Sequence, residues 1–248
     1  MSEFFHKLPP KMILHTVFLA GLILVATAPV SPAQTNPPAA PTAPPLSPDG
    51  PIPKEVFLAQ HEAFLKRKAE PIRVLFIGDE NTAGWNRGGK AVWASRYAKL
   101  DAANFSYNDR IEQMLWRIAN GELDGISPKV VILEIGTDNN NDRAAKITAG
   151  VTAIVKQINE KLPQAKLLLL GIFPRGTHET DHLRKKMAAV NAELAKLSNV
   201  SYLEIWEPFL AEDGSIPKEV MPDALHLSAR GYQIWADAMQ PTLDNLLK

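Results

Sequence analysis

Val74-Leu75-Phe76-Ile77-Gly78-Asp79-Glu80 is the stretch on which the reading of this chain turns. An uncharged run ends in a Gly-Asp pair, and the residue delivered next is an acid. Arg73–Gly78 reads as a first β-strand, bounded by a turn signal. Whatever follows such a strand in an α/β protein stands at a functional edge, so Glu80 is the first candidate for chemistry.

Beyond this stretch, strands and helices alternate. Ala102–Ser106 reads as a short second strand. Asp109–Gly121 reads as a helix, because Ile111, Met114, Leu115 and Ile118 recur at helical spacing, with Asp109 as its N-cap. Lys129–Gly136 and Lys166–Phe173 are apolar on nearly every residue, the pattern of strands covered on both faces. Arg143–Leu162 and Thr180–Leu197 carry apolar stripes of helical period, and Val200–Ile205 reads as a fifth strand. A last helix starts at Ser228, and Pro241 is expected to kink it. Lys54–Glu70 reads as a helix packed on the body. The rhythm predicts an α/β fold, three layers α/β/α around a five-stranded parallel sheet. Sites in such sheets form at the strands' carboxyl ends. The loops after Gly78, Phe105 and Gly136, and the one before the last helix, therefore matter most.

The 248 residues are not all expected to fold together. Lys7 and Lys11 precede an almost wholly apolar run, residues 12–28, and small residues follow it. That order is the signature of a secretory signal over 1–33, against an uncleaved membrane anchor as the alternative. Residues 34–53, rich in Pro, Ala and Thr, read as a tether. Residues 54–248 then form the folded domain, secreted or periplasmic, with no membrane contact after cleavage. There is no cysteine, so stability must come from apolar burial. Lys and Arg number 27 against 27 Asp and Glu, with no basic cluster that would suit nucleic acid.

Five stretches in order carry a resemblance: Phe76-Ile77-Gly78-Asp79; Leu115-Trp116-Arg117-Ile118 with Asn120-Gly121-Glu122-Leu123; Pro128-Lys129-Val130-Val131 leading to Ile135-Gly136-Thr137; Leu170-Gly171-Ile172-Phe173-Pro174-Arg175-Gly176; and Asp223-Ala224-Leu225-His226-Leu227-Ser228. The chain resembles the SGNH (GDSL) hydrolases of the platelet-activating-factor acetylhydrolase catalytic-subunit type, over about residues 71–247. The resemblance implies a flavodoxin-like sheet, acyl-ester hydrolysis without cofactor or metal, a small ester-bearing substrate, and a homodimer as a possible assembly. It also implies a serine nucleophile after the first strand and a D-x-x-H pair that activates it. The oxyanion would be bound by the serine N–H, a glycine N–H and an asparagine side chain.

Carried over residue by residue, Asp223 and His226 match. The nucleophile position holds Glu80. The oxyanion positions are Glu80, Ser106 in place of the glycine, and Asp138 in place of the asparagine, with Asn139 next to it. A carboxylate has no proton for His226 to remove, and an ionised Asp138 accepts hydrogen bonds where a donor is needed. Losing a single oxyanion donor costs roughly 10² to 10³ in rate. Hydrolysis is therefore expected to be impaired or lost, and a Glu80–His226 ion pair is expected in place of the Ser–His hydrogen bond.

Other readings stay open. The chain could be a non-catalytic binding module for an acylated sugar or lipid, or a hydrolase re-tooled around Glu80 as nucleophile or general base. Asp79, Glu80, Asp109, Asp138 and His226 could cluster around a divalent cation, and Ser106 could be a displaced nucleophile. Asp79, Asn81, Trp85, Trp93 and Asn139 are candidates for lining the pocket, whereas Trp116, Trp206 and Trp235 read as core. Glu134, inside an apolar strand, needs a buried partner such as Arg117 or His226. His178 and His182 read as exposed.

Overall fold

A computed structural model of the chain describes residues 47–248. The expected export signal and residues 34–46 of the expected tether lie outside the described residues. In the remainder of that stretch, the Ser47 N–H donates to the Glu112 carbonyl (3.2 Å). Among the described residues, no helix is long and apolar enough to cross a membrane.

The element order is α1 (Lys54–Arg67), β1 (Val74–Gly78), α2 (Glu80–Ala83), α3 (Lys90–Arg96), β2 (Ala102–Asn104), α4 (Ile111–Ala119), β3 (Val130–Glu134), α5 (Ala144–Lys161), β4 (Lys166–Leu170), α6 (His182–Leu194), β5 (Ser201–Leu203) and α7 (Ala229–Leu246). The five strands form one parallel sheet in the order β2-β1-β3-β4-β5. The chain steps from β1 to β2 on one side, then crosses back to β3 on the other. The loops after β1 and β3 part there, which opens a crevice at the carboxyl edge.

Strand periodicity explains the continuous apolar runs. Leu75, Ile77, Val131, Leu133, Leu167 and Leu169 face one core with Met114, Ile118, Val151, Ile154, Met187 and Val190. Val74, Phe76, Val130, Ile132, Leu168 and Leu170 face the other, with Val92, Tyr232, Trp235 and Met239. Alternate residues of each strand thus enter opposite layers. Helices α4, α5 and α6 cover one face, and α3 and α7 the other. Each fully buried aliphatic or aromatic side chain contributes about 1.5–3 kcal/mol, a core that stands without disulfides.

Two local expectations are corrected. The residue preceding α4 is Arg110, whose N–H is taken by the Gln113 side chain (3.1 Å). Asp109 does not cap the helix but turns inward to Arg117. The segment after β1, expected as loop, holds α2 and α3. As expected, Pro241 lies inside the last helix, α7.

Candidate active site

The turn after β1 is built by backbone proximity. At Gly78 a Cβ would fall 2.2 Å from both the Glu134 carbonyl and the Thr82 hydroxyl. Asp79 then caps α2 by accepting the Asn81 N–H (3.2 Å). Its second oxygen takes the N–H groups of Gly136 (3.1 Å) and Thr137 (3.0 Å), joining the β1 turn to the β3 turn. Gly136 sits at φ 130°, where a side chain is strained and would also press on Ile172. Asp79 is fully buried and therefore holds the turns together; it does not line an open pocket. Glu80, the first residue of α2, is what this turn presents.

The loop before α7 brings the imidazole to it. Asp223 Oδ1 accepts the N–H groups of Leu225 (3.1 Å) and His226 (2.8 Å), folding a tight turn with Ala224 at φ 58°. Asp223 Oδ2 lies 2.6 Å from His226 Nδ1. On the other side of the ring, Nε2 lies 3.2 Å from Glu80 Oε2. Glu80 Oε1 pairs with Arg87 at 3.3 Å. Glu80, His226 and Asp223 thus form one chain of contacts, as the sequence led us to expect.

Both ring nitrogens face carboxylate oxygens, which only accept, an arrangement that favours a hydrogen on each nitrogen and hence the protonated ring. Burial alone would lower the His226 pKa, but hydrogen bonds to Asp223 and Glu80 and the charges of both outweigh it, and the result is raised. Partial burial works against ionisation of Asp223, yet its hydrogen bonds to His226 hold it below the ordinary carboxylate range. Asp138 is pushed up, first by burial and then by the charge of Glu80, against the pull of Arg175, His226 and Arg110.

A cleft of about 210 Å³ opens beside this chain, lined by Glu80, Asn81, Gly84, Arg87, Gly88, His226, Leu227 and Tyr232. Asn81 lines it as expected, and its carbonyl accepts the Tyr232 hydroxyl (2.6 Å). The other pocket candidates are corrected. Trp85 is fully buried, packed edge-on or tilted against Phe76, Tyr97, Tyr232 and Trp235. Trp93 packs on the same cluster. Asn139 is spent on structure: its amide donates to Glu112 and Asp142, and its oxygen takes the Ile111 N–H. Ser106 is 2 % exposed, its hydroxyl without a partner among the described residues, which speaks against a displaced nucleophile open to substrate.

A model of the GDSL-like lipase/acylhydrolase family matches residues 76–234. The chain belongs to this family. It is 38 % identical over 182 residues to human "Platelet-activating factor acetylhydrolase IB subunit alpha2", covering 71 % of this chain and 78 % of that protein. Bovine "Platelet-activating factor acetylhydrolase IB subunit alpha1" is 36 % identical over 198 residues, 77 % and 84 % of the two chains. Among solved structures, a GDSL-like lipase from Bacteroides thetaiotaomicron superposes with TM-score 0.61 at 17 % identity, over 77 % of this chain and 97 % of that one. An acetylxylan esterase from Geobacillus stearothermophilus gives 0.53 at 17 % identity, over 68 % and 92 %. At such identity the two structures speak for the fold alone.

Within this acylhydrolase scaffold the remaining acids are separated by depth. Asp109 is buried against Arg117, which also donates to both Glu122 oxygens (2.8 and 2.7 Å) and to the Phe105 carbonyl (3.0 Å). Burial, opposed by Arg117, leaves Asp109 pushed up to about 6. His61 of α1 reaches Glu122 at 3.4 Å from beyond it. The five residues weighed as a cation site do not converge, and among the described residues no group of three or more His, Cys, Asp and Glu is arranged to hold a metal ion. Glu134 pairs with neither Arg117 nor His226; its partners are Thr82 and Asp79. Sequence reasoning missed Arg87, Leu227 and Tyr232 as cleft residues. Tyr232 was hidden in the apolar stripe of α7. Nothing in the sequence ties Arg87 to Glu80, which it reaches only because the chain curls into α2.

Proposed function

We propose that this protein is an acylhydrolase-family member in which ester hydrolysis at the inherited position is lost or strongly reduced, and whose cleft holds a small acyl-ester ligand. The observation that carries the reading is the Glu80–His226 contact at 3.2 Å, backed by Asp223 at 2.6 Å. An imidazolium held between two carboxylates is not a base for activating an alcohol, and Glu80 has no proton to give up. Asp138, near Glu80 and His226, adds negative charge where the reaction would develop it. The largest favourable term in acyl transfer would then have the wrong sign. The open cleft beside the pair supports retained binding.

Turnover of p-nitrophenyl acetate tests this. The wild type is expected near the uncatalysed rate, with hydrolysis emerging in Glu80→Ser and rising further when Ser106→Gly and Asp138→Asn are added. Efficient wild-type turnover that His226→Ala abolishes would overturn the proposal in favour of a re-tooled carboxylate site.

We also propose export, on the Lys-flanked apolar run at 12–28, and mass spectrometry of the mature protein should find a new N-terminus near residue 34. A homodimer is proposed because the relatives are named as subunits; a monomer mass at micromolar concentration in light scattering would refute it.

A further inference from the structure

Two acids that the cleft does not use meet beneath the turn that carries Glu80. Asp79 follows the last residue of β1 and Glu134 is the last of β3, and both are fully buried. The strands are in register there, Gly78 against Glu134, and the Asp79 N–H donates to the Glu134 carbonyl (3.2 Å). The Asp79 carboxyl takes three backbone N–H groups, from Asn81, Gly136 and Thr137. Glu134 Oε2 lies 3.2 Å from the Thr82 hydroxyl, which also lies 3.3 Å from the Glu134 carbonyl. That hydroxyl has one proton for the two acceptors. Glu134 Oε1 is sealed from solvent and has no donor among the described residues.

Each carboxyl acts directly on the other. Ionised carboxyls only accept, so neither can supply the hydrogen that Glu134 Oε1 lacks unless one of them carries a proton. The groups acting on the pair are other carboxylates and neutral donors, with no cation in contact among the described residues. Two like charges buried beside each other and shut off from solvent are strongly disfavoured. We infer that Asp79 and Glu134 share a single proton, and that Glu134 is through it a positioning residue: the shared proton ties the end of β1 to the end of β3 and sets the spacing of the turns that carry Glu80 and Asp138.

Burial first raises both above the ordinary carboxylate range; the charges of Glu134 and Asp138 push Asp79 further up, and Glu134, raised also by Asp138 and held back by Asp79 and Thr82, reaches about 7. The proton belongs to the pair and not to one residue. Other titratable groups face it from every side. Glu80 stands on α2 and Tyr232 on α7, and Asp138 lies beyond β3 with Arg175, His226 and Arg110 acting on it. Loss of the proton above neutrality places a second charge in a closed space, and the two turns must move apart or admit water. The inference does not depend on whether the cleft turns over an ester.

Backbone amide NMR tests it in the intact folded protein. The Asn81, Gly136 and Thr137 signals should move together in one step centred near pH 7 in the wild type. The step should vanish in Glu134→Gln, which keeps the shape and hydrogen-bonding reach but cannot ionise. It should survive in His226→Gln, which removes the imidazole of the cleft. Flat amide signals from pH 5 to 9 in the wild type would overturn the inference even if Glu134→Gln failed to fold. A step unchanged in Glu134→Gln, or absent from His226→Gln, would overturn it as well.

Discussion

Neutralising Glu80 and His226 singly and together measures the contact on which the site reading rests. At 3.2 Å, two unit charges attract by about 1.3 kcal/mol in bulk water and about 5 kcal/mol at an effective dielectric of roughly 20. The His226 and Glu80 side chains are 44 % and 25 % exposed. Solvent screening and the ordering of two side chains therefore hold the net value near the lower figure, about 1 kcal/mol. A single Glu80→Gln change would misreport it, because the same substitution relieves the repulsion between Glu80 and Asp138. The cycle of Glu80→Gln, His226→Gln and the double variant cancels that relief. The pH dependence has a definite sign. The folded pKa of His226 is raised above the ordinary 6.5, so its stabilising share is complete below 6.5 and is lost as pH rises through the folded value. Urea denaturation at pH 5.5 should give a coupling of about 1 kcal/mol, worth roughly 2–4 °C in melting temperature for a domain of this size. At pH 9 only a residual hydrogen-bond coupling should remain. No coupling at pH 5.5, or the same coupling at both pH values, would show that no ion pair forms here.

Three further substitutions test the frame around the site. Arg117→Met leaves Asp109 and Glu122 buried without their cation, and should cost about 3–5 kcal/mol in urea denaturation. Gly136→Ala meets both a positive φ and a Cβ contact of 2.6 Å with Ile172; a loss of about 2 kcal/mol or more is expected by thermal melting. Trp85→Ala should cost about 3–5 kcal/mol, as an aromatic core truncation does. A stability change below about 1 kcal/mol there would return Trp85 to the pocket.

The fold was legible because its central strands carry unbroken apolar runs. Val130 to Leu133 and Leu167 to Leu170 are apolar at every position, since polar residues need not alternate with apolar ones when both sheet faces are covered. Val131 and Leu133 enter one core, Val130 and Ile132 the other. Glu80, Asp223 and His226 could be placed because two short motifs sit at strand and helix ends, where the topology brings them together. Trp85, Trp93 and Asn139 were misplaced for a different reason. A loop residue reads as open to solvent, but the chain after Glu80 winds into α2 and α3, and that winding carries Trp85 into the core. Glu134 was recognised as anomalous, yet its partner could not be named, because Asp79 and Thr82 become its neighbours only through the register of β1 against β3. Cleft residues such as Arg87 depend on side-chain reach, which no periodicity encodes.

Whether an acid occupies the place of the attacking alcohol is best decided by titrating the His226 ring with ¹H–¹⁵N correlation NMR, in the wild type and in Glu80→Ser. If a carboxylate rests on Nε2, the wild-type ring should lose its proton above 6.5 and should do so at lower pH once the serine is in place. A wild-type midpoint at or below 6.5, or a midpoint that Glu80→Ser leaves unmoved, would mean that Glu80 does not hold the imidazolium.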